Sequence, residues 1–436
     1  MAKKKAGGIG YWSAVSIGIG GMVGGGIFAV LGLAVQLAHG GTPVAFLIAG
    51  IVALLTSYSY AKLSVGFPSQ GGTVVFLDRA FGVDLFTGTM NNLLWISYVV
   101  MLALYSFAFG SYGATFFPQP EQAFWKHVLI SAGILVPMVL NMLSAGIIGK
   151  AETYIVGIKV TILLFFVAVG FRGIDAARLA PSTWSPSIQL LAGGMIIFLA
   201  YEGFELIANA AQDVADVKKT LPKAFYSSVI FVILLYILVA MVAVGSLPVH
   251  DIVAAKDYAL AEAARPFLGS FGFKLIAVAA LLSTFSAVNA TLYGSARLSY
   301  TIAREGELPA FLENRVWNKP VEGLVLTSLF ALLLANLADL SSISMMGSAG
   351  FLLIFAAVNA ANIKLAKKTE SRRWLSAFGL AACLAAFGAL IWETSSSSPG
   401  HLWVLAGMAG ISFLVEFAYR EYRGHEFKLA GKDSSG

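Results

Sequence analysis

Long apolar runs, each broken by a few charged or turn-forming residues, occupy the chain from residue 11 to residue 419. A helix needs about 20 predominantly apolar residues to cross the hydrocarbon layer, and about twelve stretches come near that length. They cover approximately 11–37, 43–66, 84–110, 127–143, 150–171, 188–212, 225–247, 270–300, 322–338, 343–363, 374–392 and 402–419. The pattern predicts an all-α polytopic membrane protein with both termini on one side. Loop lysines and arginines choose the side, because they favour the cytoplasmic face. With the N-terminus inside, cytoplasmic segments hold about 21 of the 29 basic residues and external segments about 6, with Lys62 and Lys159 inside spans. Both termini are therefore expected in the cytoplasm of a cell-membrane protein. The lysines of Met1–Ala6 imitate a signal peptide, but the apolar stretch behind them is too long and no small-residue cleavage site follows.

Composition agrees with lipid as the solvent. Hydrophobic residues make up 58% of the 436 and charged residues 12%, about half the charge of a soluble domain. The net charge of +6 sits in short loops between apolar runs, which fits membrane topology and gives no reason to expect nucleic acid. One cysteine, Cys383, excludes an intramolecular disulfide and a thiolate metal cluster. Gly146 opens the sequence GIIGKA, which lacks the spacing and hydroxyl of a phosphate-binding loop, so ATP-driven transport finds no support. All five histidines (His39, His127, His250, His401 and His425) fall in loops or tails and none in an HExxH pattern, against an intramembrane metalloprotease. No cofactor, metal or obligate protein partner is expected.

Two stretches depart from ordinary helix. In the first, residues 18–26 hold six glycines, at positions 18, 20, 21, 24, 25 and 26, each costing about 1 kcal/mol relative to alanine inside a helix. Such a helix should open, and unwound backbone at membrane depth is tolerated only against protein or a wet cavity. Its freed N–H groups could then hold an anionic group; the alternative is close packing through small residues, since Gly20 and Gly24 form a GxxxG. In the sixth stretch, Phe198, Tyr201, Glu202, Gly203 and Glu205 put two carboxyl groups and a glycine among apolar residues. Ionisable groups there are expensive and suggest function: Phe198 could close over a ligand, Glu202 could line a cavity, and Glu205 could either gate or satisfy exposed backbone donors. The shared break predicts two five-span units of opposite orientation, 11–171 and 188–363, followed by two additional helices at 374–419, with cytoplasmic tails at 1–10 and 420–436.

Lys159 lies about nine residues, roughly 14 Å of helix, from the inner end of the fifth stretch, too deep to reach water easily. A lysine removed from water gives up its proton more readily, which suits proton exchange, and its ammonium can also stand in for a bound cation. The alternative is a permanently charged structural lysine. Lys62, four residues from a helix end, is expected to snorkel. Residues Arg297–Pro309, with sequence RLSYTIAREGELP, read as a solvated exit or gate support.

These segments resemble the amino acid, polyamine and organocation transporter superfamily over nearly the whole chain. GGMVGGGIF looks like its first-span signature, FPSQGGTVVFLDRAFG like its second-to-third loop, FLAYEGFELIANAAQDV like its sixth span, and AREGELPAFLENRVW like the segment after span eight. SYSYAKL, GKAETYIVGIKV and NATLYG look closest to proton-coupled, broad-specificity amino-acid carriers of the ApcT type. The resemblance implies twelve transmembrane helices in a LeuT-type 5+5 inverted repeat with discontinuous first and sixth helices. It also implies a site in which N–H groups near Gly24, Gly25 and Gly26 hold an amino acid's carboxylate and carbonyls near Met22, Phe198 and Glu202 hold its amine, with Tyr201 alongside. Lys159 would then lie near Gly20 and the hydroxyls of Ser283 or Ser286. Glu202 departs from the close relatives, which carry an uncharged residue there; it could select a cationic side chain, pair with Lys159 or carry a second proton. The expected function is proton symport of amino acids by alternating access. The rivals are a proton-independent amino-acid or polyamine exchanger and a sodium symporter, the latter disfavoured by the lysine. A membrane-embedded enzyme or a channel is more distant.

Overall fold

A computed structural model of the protein describes residues 8–143, 148–304 and 321–423. The first two residues of GIIGKA, most of the segment after span eight, His425 and the outer parts of both tails lie outside the described residues. The helices are α1 (Tyr11–Met22), α2 (Gly26–Ala38), α3 (Thr42–Gly66), α4 (Thr73–Phe81), α5 (Leu85–Ala114), α6 (Gln122–Leu143), α7 (Ile148–Gly170), α8 (Ser187–Ile196), α9 (Leu206–Asn209), α10 (Val217–Ser246), α11 (Val249–Ala254), α12 (Ala259–Ala263), α13 (Arg265–Arg304), α14 (Val321–Leu337), α15 (Leu340–Lys364), α16 (Ala366–Thr369), α17 (Arg373–Ser397) and α18 (Gly400–Arg423).

Their ends follow from local chemistry. Asp84, Asp216 and Asp339 each accept a hydrogen bond from the backbone three residues on, at Thr87, Lys219 and Ser342, and so open α5, α10 and α15. Pro43 stands in the first turn of α3, where its missing N–H costs nothing. Gly269, at φ 60°, bends α13 near its start.

Among the described residues nine helices are long and apolar enough to cross a membrane, and the two bent pairs raise the count to eleven. α14 matches the ninth expected stretch but, at 17 residues, falls just short of the length criterion. Position within the bundle follows burial: in α5 and α15, 89% of the apolar window is buried inside the protein, against 22% in α6 and α18 and 28% in α17. The outer helices turn Val136, Val139, Leu164, Phe378, Leu414 and Phe417 outward. That coat would be unfavourable in water and suits acyl chains.

Helix contacts come in matched sets. α3 packs on α10 and α5 on α13; α1 meets α10 as α8 meets α3, α5 meets α15 as α13 meets α7, and α5 meets α14 as α13 meets α6. α17 lies against α15, α3 and α8, while α18 lies against α5. Cys383 on α17 is buried where these helices meet, its sulfur 3.4 Å from Thr56 Oγ1. On α18 the buried Glu416 pairs with Arg420 and accepts from Asn92 of α5 at 3.3 Å.

Candidate functional site at the two helix breaks

The glycine-rich run opens over only three residues, Val23–Gly25, and the axes of α1 and α2 differ there by 44°. The second break is longer. α8 ends at Ile196, a 3-10 turn spans Phe198–Tyr201, Glu202 is extended, and Gly203 at φ 112° turns the chain toward α9, with a bend of 49°. The breaks touch backbone to backbone: a methyl on Gly21 would come within 2.6 Å of the Gly203 carbonyl oxygen.

The glycines divide between packing and the break, and the close packing falls on other positions than Gly20. Gly18 and Gly21 serve packing, against Ile207 and Ser228 in one case and Gly203 in the other. Gly24, Gly25 and Gly26 lie at the break, against Ala287, the Tyr105 ring and Ala200. Since α2 begins at Gly26, the N–H groups of its first turn have no carbonyl one turn earlier, and the positive end of the helix faces the break.

Backbone carbonyls released by the breaks are met by side chains from surrounding helices, as a water-poor interior demands. Lys159 Nζ, fully buried on α7, donates to Gly20 O at 3.0 Å. Ser283 on α13 donates to Val23 O at 2.6 Å and to Gly24 O; Ser286 is buried three residues further along. Tyr236 on α10 spans both breaks, its hydroxyl 2.7 Å from Met22 O and 3.2 Å from Ala200 O. Ser344 and Ser348 on α15 both donate to Ile196 O at 2.8 Å, and Ser348 Oγ also receives Leu199 N–H at 3.1 Å.

The two carboxyl groups have separate partners. Glu202 accepts from the Tyr105 hydroxyl at 2.9 Å, and Glu205 accepts from Gly203 N–H at 2.7 Å and from Tyr98 at 3.4 Å. The two carboxyl groups also lie within electrostatic reach of one another. Glu205 thus does satisfy a backbone donor at the break.

The expected site residues therefore gather at the breaks, with some differences of role. The Met22 carbonyl, expected to receive an amine, already accepts from Tyr236, leaving one lone pair. Phe198 stands edge-on to Phe355, ring centroids 5.9 Å apart, in an aromatic cluster that also holds Phe204 and Phe351. Tyr201 turns toward α3, donating to Phe46 O at 2.8 Å. Lys62 does reach the surface, where it donates to Glu370 O, and Arg297 holds Gln70 of the second-to-third loop at 2.6 Å. Sequence reasoning missed Tyr98, Tyr105, Tyr236, Ser344 and Ser348.

The amino acid permease family profile matches residues 9–414, a span that includes both breaks, Lys159 and the helices that surround them. The chain belongs to the amino acid permease family. An uncharacterized protein of Methanocaldococcus jannaschii is 35% identical over 383 residues, 87% of this chain and 88% of the relative. The inner membrane transport protein YbaT of Escherichia coli is 33% identical over 402 residues, 92% of this permease and 94% of YbaT. The branched-chain amino acid permease BcaP of Bacillus subtilis is 24% identical over 384 residues, 83% and 81% of the two chains. The permease is thus a membrane transporter and not an enzyme, and amino acids are the class of cargo its family handles.

Proposed function

We propose that this permease takes up amino acids by proton symport through alternating access, with the amino acid held between the two breaks. The observation that carries the proposal is the ammonium of Lys159, buried at mid-helix and bonded to the carbonyl of Gly20 two residues before α1 ends. Protonated, it ties α7 to the end of α1; neutral, it gives a weaker bond, the difference being about 1–2 kcal/mol, near a tenfold shift between two conformations. It also occupies backbone where a sodium ion would otherwise seek oxygens, which argues against sodium symport. The amino acid's carboxylate would meet the N-terminal end of α2 at Gly25 and Gly26, and its amine the remaining carbonyl lone pairs near Met22 together with Glu202. The coupling ion is the only cofactor required.

The same reading counts twelve spans, with α14 as the ninth, in a LeuT-type arrangement. The matched contact sets support it, because a twofold relation exchanging 11–171 with 188–363 turns each contact into its partner. The distribution of basic loop residues supports cytoplasmic termini and residence in the cell membrane.

The test is uptake of labelled alanine into liposomes, with and without an inward proton gradient. Gradient-driven accumulation lost in Lys159→Ala is the expected result. Uptake that ignores the gradient and requires internal amino acid would make the protein an exchanger and Lys159 a structural cation.

A further inference from the structure

Tyr105 stands where the two breaks face each other. It lies about two-thirds of the way along α5, 2% exposed, and its ring rests on Gly25 so closely that even a methyl on that glycine would collide with the ring carbons. Its hydroxyl, at the far end of the same ring, donates to Glu202 Oε2 at 2.9 Å. One side chain therefore covers the backbone proposed to hold a carboxylate and also supplies a donor to the carboxyl group proposed to meet the amine side of the substrate.

That double contact bears on which amino acids fit. A carboxyl oxygen in a dry interior needs a donor. With the phenol in place the donor is internal, and a substrate bringing a second ammonium must displace it. The other titratable groups around the pair are Glu205 from the same segment, Tyr98 from α5, Tyr60 from α3 and Tyr236 from α10. Tyr98 donates to Glu205, Tyr60 is bonded to Thr73 at 2.8 Å, and Tyr236 is bonded to Met22 O and Ala200 O. Tyr105 is thus the phenol directed at Glu202. The ring also takes up room over Gly25, which favours a short side chain.

We propose that Tyr105 is a specificity-determining residue that sets the site for small neutral amino acids, by filling the space over Gly25 and by occupying the Glu202 oxygen that a second, side-chain ammonium would need, while the other oxygen stays open to the substrate's amine. This rests on the reading of the breaks as an amino-acid site. Tyr105→Phe keeps the ring and removes the donor, so the selectivity for lysine over alanine, as a ratio of kcat/KM, should rise about tenfold. Adding Glu202→Gln in the same chain should abolish the gain, because the attraction for the second ammonium is gone.

The experiment measures uptake of labelled alanine and labelled lysine by the parent, Tyr105→Phe and the double variant in liposomes. Thermal stabilisation of each purified protein by the same two amino acids is the second readout, so a variant too slow to transport still reports its preference. A raised lysine preference in Tyr105→Phe that disappears in the double variant supports the inference. An unchanged or lowered preference in Tyr105→Phe overturns it while leaving amino-acid transport standing, and so does a gain that persists without the Glu202 charge. A parent protein that neither takes up nor is stabilised by either amino acid overturns the function together with the inference.

Discussion

Replacing Gly203 by alanine is the sharpest test of the backbone contact that joins the two breaks. Its φ of 112° lies in a region that residues with a Cβ avoid, and left-handed backbone costs an ordinary residue about 1–2 kcal/mol. The new methyl would also run into the backbone of Gly21 and Met22. Backbone cannot swing aside like a side-chain end, so an overpacking cost of about 1–3 kcal/mol adds to the first. The sum is roughly 2–5 kcal/mol, about thirtyfold to a few thousandfold in the folded population. Gly388→Ala in α17 is the matched control, for its Cβ would meet nothing within 4 Å, and alanine gains about 1 kcal/mol over glycine in a helix. Detergent-purified proteins heated in steps and passed over a sizing column would rank the three chains, a ranking that remains meaningful when unfolding is irreversible. The Gly203 variant should leave the monodisperse peak well before the parent, and the control at the parent's temperature or above it. Coincident curves for Gly203→Ala and the parent would refute the contact.

Three further outcomes are expected. On the proposed coupling, initial uptake by the parent should fall as external pH rises, since a protonated Lys159 would tie α7 to α1 through Gly20 O and a neutral one would loosen it, whereas Lys159→Gln should show a flat profile; a parallel fall in both would assign the proton elsewhere. Ser283→Ala leaves Val23 O and Gly24 O without their hydroxyl donor, so it should destabilise the protein by about 1–3 kcal/mol and lower uptake, with Ser283→Thr recovering part of both; an unshifted melting curve would count against the bond. On the loop between α10 and α13, Asp257 bridges Lys126 of α6 at 2.7 Å with both side chains about a quarter exposed, and such a pair contributes about 1 kcal/mol at most. Amide exchange across residues 249–263 should therefore quicken by no more than about fivefold in Asp257→Asn, and a hundredfold rise would show that the bridge alone seats the loop.

Span positions were legible because a hydrocarbon solvent leaves a long signal. The second stretch was expected at 43–66 and α3 covers Thr42–Gly66; the eighth was expected at 270–300 and α13 runs Arg265–Arg304. The breaks were legible because six clustered glycines and two carboxyl groups contradict an apolar helix. What escaped was the set of groups that make the breaks tolerable. Tyr236 and Met22 are 214 positions apart and Ser344 and Ile196 are 148 apart, so the partner that gives each hydroxyl its importance lies far along the chain. A serine or tyrosine inside a span also disturbs hydropathy too little to stand out. Tyr105 escaped for the same reason, whereas Lys159 was visible at once because a charge at that depth has no cheap explanation.

The chain carries a single thiol, and Cys383 is sealed among α3, α15 and α17 with Thr56 and Asn359 beside its sulfur. Water-soluble maleimides have no path to it while those helices stay assembled. The natural sequence is therefore its own silent background: a cysteine introduced at a loop or along the breaks would report alone, with no need to engineer the native one away. The converse is equally useful, since modification of Cys383 during heating would record the moment at which the interface of α17 with α3 and α15 comes apart.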